Sequence, residues 1–343
     1  MKILVTGGCG FVGSNISIHL KKKLKNSKIY TLDNFSRKGS KINLKRLKLN
    51  NISNFKINIS NQKKVMNLPK FDIIIDCCAE AAIEDSIKKP DKIFKTNLLG
   101  SFNIIKKCKK DNSSVIFLSS SRVYSIKSLR KDVDLNKLNK KTIKKFQVDE
   151  NFDTESPKSL YGFSKLSSED LIKEASYSYK IKYLINRFGV ISGPWQFGYE
   201  NQGFVSLWVL NHVLKKNLKY IGFNGKGKQY RDVIHVDDVC DLILLQIKRI
   251  NKIYNQTFNI GGGLKNLISL KELSQICEKV TGNKVEFSKI YKTSLFDIPI
   301  FLTNNKKIKN FYDWKPKINI KKIVIDIYDW AINNRKLIKR IYK

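Results

Sequence analysis

Apolar positions follow two rhythms through the first half of the chain. Short apolar runs at 3–6, 29–33, 55–59, 71–78, 115–119 and 181–188 read as strands. The unbroken run 71–78 is what a strand buried on both faces requires. Between these runs, apolar residues at three- and four-residue spacing predict helices over 11–24, 94–107 and 161–179. Regular strand–helix alternation predicts an α/β fold with a doubly wound parallel sheet. After position 188 the rhythm breaks. Glycines crowd 189–232 around one helical stretch near 204–215, and helix-like patterns return at 234–249, 270–281 and about 321–341, with a short strand at 258–260. The organisation expected is a sheet domain from 1–188 plus 233–263, a smaller lobe from 189–232 plus 264–325, and a C-terminal helix over 326–343.

A chain of 343 residues with 42% hydrophobic content can build a large core, which excludes a wholly disordered protein. The net charge is +37, yet only nine of the 66 cations are arginine. A nucleic-acid reader clusters its cations and spends arginine on phosphates and bases. Here lysine is spread through every segment, so no specific nucleic-acid partner is expected. A general attraction for anionic ligands is. The six cysteines form no CxxC pair and no zinc spacing, which predicts buried thiols in a reducing compartment and no metal site. No run approaches the ~20 apolar residues of a membrane span. Residues 1–6 lead straight into Gly7, too soon for a signal peptide. These features predict a cytoplasmic protein without membrane insertion.

Chemistry concentrates in two places. Gly7-x-x-Gly10-x-x-Gly13 follows the first strand and opens the first helix, with Phe11 and Val12 inside the turn. Glycines there let backbone approach a pyrophosphate, and the helix N-terminus offers free N–H groups to it. Asp33 ends the second strand 20 residues after Gly13, where a carboxylate holds ribose hydroxyls. That arrangement predicts a dinucleotide site and favours NAD over NADP, although Arg37 and Lys38 follow closely. Farther on, Tyr161 and Lys165 stand four residues apart on one helix face. An ammonium beside a phenol brings the phenol's pKa toward neutrality, fitting it to act as base and acid. Ser120 closes the 115–119 strand at the sheet edge where ligands of doubly wound folds bind. Glu80 and Glu84 lie just past the 71–78 strand at the same edge.

Taken together, TGGCGFVGS at 6–14, DNFSRKGS at 33–40, Asn97, SSSRVY at 119–124, YGFSK at 161–165, NQGFV at 201–205 and GKGKQYRDVIHVDD at 225–238 resemble the extended short-chain dehydrogenase/reductases. The resemblance is to their NAD-dependent nucleotide-sugar epimerases and dehydratases. It covers nearly the whole chain and is strongest toward the CDP-paratose 2-epimerase (CDP-tyvelose epimerase) branch. It implies a Rossmann-type NAD-binding domain, a C-terminal lobe for a nucleotide-diphosphate sugar, and a homodimer. Catalysis would fall to Ser120, Tyr161 and Lys165. NAD would be held by Gly7, Gly10, Phe11, Val12, Gly13, Asp33, Asn34, Asn58, Asn97, Tyr161 and Lys165. Glu80, Asn186, Gln202, Lys228 and Arg231 would serve the substrate, Arg231 meeting the diphosphate. His235 is expected to be a packed core histidine.

Three departures bear on the reaction. Dehydratases carry an Asp-Glu pair just after the catalytic hydroxyl residue, where this chain has Ser121 and Arg122, which disfavours dehydration. Asn58 stands where the family has an adenine-binding Asp. Pro299 stands where an Arg meets the second phosphate, with Lys289 or Lys292 as candidates to compensate. The alternatives left open are 4-epimerisation, keto-sugar reduction and a non-catalytic NAD-binding role. The lysine-rich stretch 129–159 is expected to be a surface insertion rather than a mobile lid.

Overall fold

The computed structural model describes residues 1–81, 87–138, 142–199 and 202–342. Glu84 and Asn201 lie outside them. Seven strands form the main sheet, in the order Ser53–Lys56, Lys28–Asp33, Lys2–Thr6, Ile73–Asp76, Ser114–Ser120, Tyr183–Phe188 and Gln256–Ile260. Every neighbouring pair is parallel. The order reverses between Lys2–Thr6 and Ile73–Asp76, so the connecting helices leave a crevice at the carboxyl edge there. Thr6 pairs with Asp76, Asp76 with Phe117, and Ser120 with Phe188, which brings these strand ends to one edge.

The apolar runs lack alternation because both faces are covered. Ile3, Val5, Ile73, Ile75 and Ile116 pack with Ile16 and Leu20 of the helix Phe11–Lys23 and with Val239, Ile243 and Ile247 of the helix Val236–Arg249. The intervening Leu4, Ile74, Val115 and Phe117 pack on the opposite face with Ile104, Ile105, Cys108, Ile172 and Ala175. Successive strand residues point to opposite faces, so each strand feeds two cores.

The second lobe is built on the strand Tyr230–His235. Its first half pairs antiparallel with Leu267–Ser269 and parallel with Ile300–Thr303, and its second half pairs with Val190–Ser192. The helices Phe204–Leu214, Leu270–Thr281 and Ile320–Asn333 share an apolar core that includes Val209, Leu273, Ile327 and Trp330.

Four local expectations change. The region 94–107 opens with a wide π-type turn, Phe94–Leu99, before the helix Gly100–Asp111. Gly100 there lies against Ile59, whose Cγ2 would stand 2.6 Å from an added Cβ. The 234–249 pattern splits into the end of a strand and a helix from Val236, with His235 as the N-cap accepting the Asp237 N–H. Val233 and Ile234 are wholly buried strand residues, and a short apolar run cannot distinguish strand from helix. The helix expected over 321–341 breaks after Asn333, and Ile320–Asn333 runs through the 325–326 boundary. Within 129–159, Gln147–Val148 pairs with Leu302 and Thr303, and Leu129 and Val148 enter a cluster with Tyr124 and Phe301. That stretch is stitched to the body of the protein at both ends.

Ile74 is fully buried between sheet and helices. Ile74→Ala is expected to cost about 2–5 kcal/mol, read as a lower urea midpoint with an unchanged slope.

Candidate active site

The glycine turn has the shape its pattern predicts. Gly7 adopts φ +59°, and its carbonyl accepts the Gly10 N–H at 2.9 Å. A Cβ on Gly13 would fall 2.4 Å from the Gly7 carbonyl oxygen, so the helix can start this close only at a glycine. The helix Phe11–Lys23 has no side-chain cap and no acid in its first turn. Its leading N–H groups therefore remain open to a phosphate. Gly7, Gly10, Phe11, Val12 and Gly13 line a cavity of about 650 Å³ that also takes in Ser120, Tyr161, Gln202 and Arg231.

Asp33 is fixed against this turn. One of its oxygens accepts the Cys9 N–H at 3.0 Å and the other the Phe35 N–H at 2.7 Å. Burial raises its carboxyl pKa, and these backbone bonds oppose the rise. A carboxylate has about four acceptor positions, so capacity remains for ribose hydroxyls. Arg37 is held away from Asp33, with Nη1 donating to the Tyr199 hydroxyl at 3.2 Å and Nη2 lying 3.4 Å from Glu80.

Ser120 and Tyr161 meet through two fitted elements. Ser159 caps the helix Leu160–Tyr179 by accepting the Gly162 N–H, which sets Tyr161 in its first turn. Ser120 caps the short turn Ser121–Val123, accepting the Arg122 N–H at 3.2 Å. A Cβ at position 162 would stand 2.0 Å from the Arg122 carbonyl oxygen, so only glycine lets turn and helix close. The Ser120 side chain then faces the cavity beside the Tyr161 phenol. Burial raises the phenol's pKa, and Ser120, Arg122 and Arg37 oppose the rise in that order.

Lys165 departs from its expected electrostatic role. Its ammonium is buried, 3.8 Å from the centre of the Phe117 ring. Burial lowers its pKa, and Asp76 is the largest influence opposing this, ahead of Cys78, Glu169 and Cys77. Asp76 accepts from Thr6 Oγ1 at 2.5 Å and from Ser101 Oγ at 3.1 Å. The cations acting on the phenol are thus arginines, while Lys165 is directed toward the sheet and Asp76.

Residues 3–261 match the model of the NAD dependent epimerase/dehydratase family. The chain belongs to that family. It is 31% identical to the CDP-paratose 2-epimerase of Salmonella typhi, over 96% of this chain and 99% of the relative. Among solved structures, Pal from Bacillus thuringiensis superposes with a TM-score of 0.81 at 26% identity, covering 97% and 99% of the two chains. The UDP-glucuronic acid 4-epimerase from Bacillus cereus, solved with UDP-glucuronic acid and NAD, has the same fold, with a TM-score of 0.82 at 22% identity over the full length of both.

This epimerase/dehydratase family member is therefore an enzyme that uses NAD, and its glycine turn, open helix N-terminus and Asp33 fit that cofactor. Of the residues expected to act, Ser120, Tyr161, Gln202 and Arg231 share the cavity wall with the glycine turn. Several others do not reach it. Asn186 is fully buried and exchanges two 2.8 Å hydrogen bonds with Gln246, because its strand position faces the helix Val236–Arg249. Lys228 points to Asn136 at 3.2 Å. The Asn34 and Asn58 carbonyls each accept backbone N–H groups two residues on, the local turn such side chains favour. Asn97 is buried, clasping the Glu80 backbone N–H and carbonyl and donating to Ser164. It positions the 80 loop against the helix Leu160–Tyr179. The Glu80 carboxylate is buried in ion pairs with Arg37 and Lys92. Arg231 pairs with Asp297, neither of the neighbouring acids Asp232 and Asp237.

The sequence reading missed Asp76, Asp297 and the cavity-facing side of Arg122. A carboxylate inside the apolar run 71–78 was a usable signal for Asp76. Asp297 had none, since only the fold brings it to the site.

No helix of the described residues is long and apolar enough to cross a membrane. Replacing Ser120 with Ala removes a group that lowers the phenol's pKa, so the alkaline-rising limb of kcat/KM should move to higher pH while the rate at neutral pH falls. A pH–rate profile on each form checks this.

Proposed function

We propose that this protein is an NAD-dependent nucleotide-sugar epimerase that oxidises one sugar carbinol to a ketone and reduces it again on the other face. The observation that carries the reading is that Ser120 and Tyr161 stand together in the wall of the cavity that also holds the glycine turn. NAD supplies the hydride acceptor and, on return, the donor. Tyr161 as phenolate takes the hydroxyl proton of the sugar, and Ser120 hydrogen-bonds the same oxygen. Returning the proton from Tyr161 completes the inverted alcohol. Arg122 and Arg37 favour the phenolate that burial disfavours.

Dehydration needs a further acid and base at the ring. Ser121 and Arg122 occupy the turn after Ser120, and among the described lining residues the one carboxylate, Asp297, is engaged by Arg231. This supports epimerisation over dehydration. The Salmonella typhi relative supports a CDP-linked sugar and inversion at C2, as in CDP-paratose 2-epimerase. With NAD and a nucleotide sugar as reactants and six free cysteines, we place the reaction in the cytoplasm.

Incubation with CDP-, UDP- and dTDP-sugars in deuterium oxide tests the cycle. An epimer without carbon-bound deuterium and without net NADH consumption is expected. Deuterium wash-in or stoichiometric NADH use would replace the reading with enolisation or reduction. Tyr161→Phe should lower turnover by about 10²- to 10⁴-fold while the protein keeps its NAD.

We also propose a homodimer. Leu99, Phe102, Leu160 and Phe163 are 42, 37, 37 and 45% exposed on two neighbouring helical segments. Phe102→Lys combined with Phe163→Lys should halve the mass seen by light scattering, and a monomeric wild type would overturn this.

A further inference from the structure

Two guanidinium groups converge in the cavity, and one carboxylate stands between them. Arg231 reaches the loop 296–298 from the strand Tyr230–His235. Its Nη2 donates to Asp297 Oδ1 at 2.9 Å and to the Ile298 carbonyl at 2.7 Å, and its Nη1 donates to its neighbour's carbonyl, that of Tyr230, at 2.7 Å. Arg122 reaches the same loop from the opposite wall, the turn after Ser120, and its Nη1 donates to the Phe296 carbonyl at 2.8 Å. Both side chains line the cavity. Burial lowers the Arg122 pKa to about 10, with the Arg231 charge the next cause and Asp297 opposing both.

The charges do not balance. Asp297 is bound to Arg231, and its carboxylate also accepts the Ile298 N–H at 2.9 Å. The remaining cavity arginine, Arg37, is paired with Glu80. A guanidinium held in a partly desolvated wall opposite a second one is stabilised when an anion joins them. The two lysines considered as substitutes for the arginine missing at Pro299 are placed elsewhere. Lys289 packs its stem under Gly225, and neither Lys289 nor Lys292 lines the cavity.

We propose that Arg122 joins Arg231, the residue already expected at the diphosphate of a sugar nucleotide, to complete a two-guanidinium clamp, supplying the second cation that position 299 lacks. The clamp rests on the nucleotide-sugar reading above. Its geometry couples binding to chemistry. The Arg122 backbone is tied to Ser120 through its N–H and to Gly162 through its carbonyl. A diphosphate gripped by the Arg122 side chain therefore delivers the attached sugar beside the Ser120–Tyr161 pair.

The test is calorimetric binding of CDP, UDP, dTDP and GDP, and of the matching monophosphates, to the NAD-loaded protein and to its Arg122→Met and Arg122→Lys forms. None of these ligands carries a sugar to be oxidised, so phenol tuning by Arg122 does not enter the readout. Arg122→Met is expected to weaken the tightest diphosphate by about 10- to 100-fold and its monophosphate by less than about threefold, with Arg122→Lys in between. NAD content and the melting temperature of each form report folding, and the lysine form keeps the test readable if the methionine form does not fold. Unchanged diphosphate affinity in a folded Arg122 variant overturns the clamp and leaves the epimerase reading standing. Equal losses for mono- and diphosphates also overturn the clamp. A wild-type protein that keeps NAD yet binds no nucleoside diphosphate overturns both.

Discussion

The active site depends on one close contact, the Arg122 carbonyl seated against Gly162. A side chain at 162 would push the helix Leu160–Tyr179 off the strand-end turn, since the carbonyl oxygen stands 2.0 Å from where its Cβ would be. With glycine there, the turn that presents Ser120 and the helix that presents Tyr161 close on each other, and both side chains face one cavity. The parallel sheet supports this from behind. Ser119, one residue before Ser120, donates to the buried Glu169 at 2.5 Å, and Glu169 is held by two nitrogens of Arg187 from the adjacent strand. Strand, turn and helix are thereby tied on both sides of the reacting pair.

Electrostatics set what those hydroxyls can do. Burial alone would hold Tyr161 as a neutral phenol. The opposing influence comes from the cavity wall, from Ser120 first and then from Arg122 and Arg37. Lys165 instead lies beneath the site, over Phe117 and within reach of Asp76, whose carboxylate is also bound by Thr6 and Ser101. Asp76 ends the strand on the far side of the switch point from the glycine turn's strand, so this buried charge is bonded across the crevice to Thr6 just before Gly7. The strand before the glycine turn and the strand ending at Asp76 thus share one polar seam.

Function and stability use the same local chemistry in different ways. Asn34 and Asn58 have side chains suited to bind a cofactor, yet each closes its own turn. Asn97 is implied by resemblance to hold NAD, yet its amide is spent on the Glu80 backbone, inside the wide helical turn Phe94–Leu99. Such turns are often found near functional sites, and here the distortion carries a buried amide to the loop beside the cavity.

The sequence by itself determined the sheet and its doubly wound order, because unbroken apolar runs alternating with helical periods admit few other architectures. It also determined the dinucleotide turn, where spacing between glycines, helix and acid is local, and the placement of Ser120 at a strand end and Tyr161 at a helix start. Tertiary structure alone decided which polar side chains face the cavity. Asn186 and Arg231 both sit on strands among apolar neighbours, and only the packing of the second lobe turns one toward Gln246 and the other toward Asp297. It also decided that the phenol's cations are Arg122 and Arg37, which come from segments 39 and 124 positions away from Tyr161. Side-chain direction at a strand end depends on register with distant strands, and electrostatic influence depends on distance in space, and neither is written in the spacing of residues along a chain.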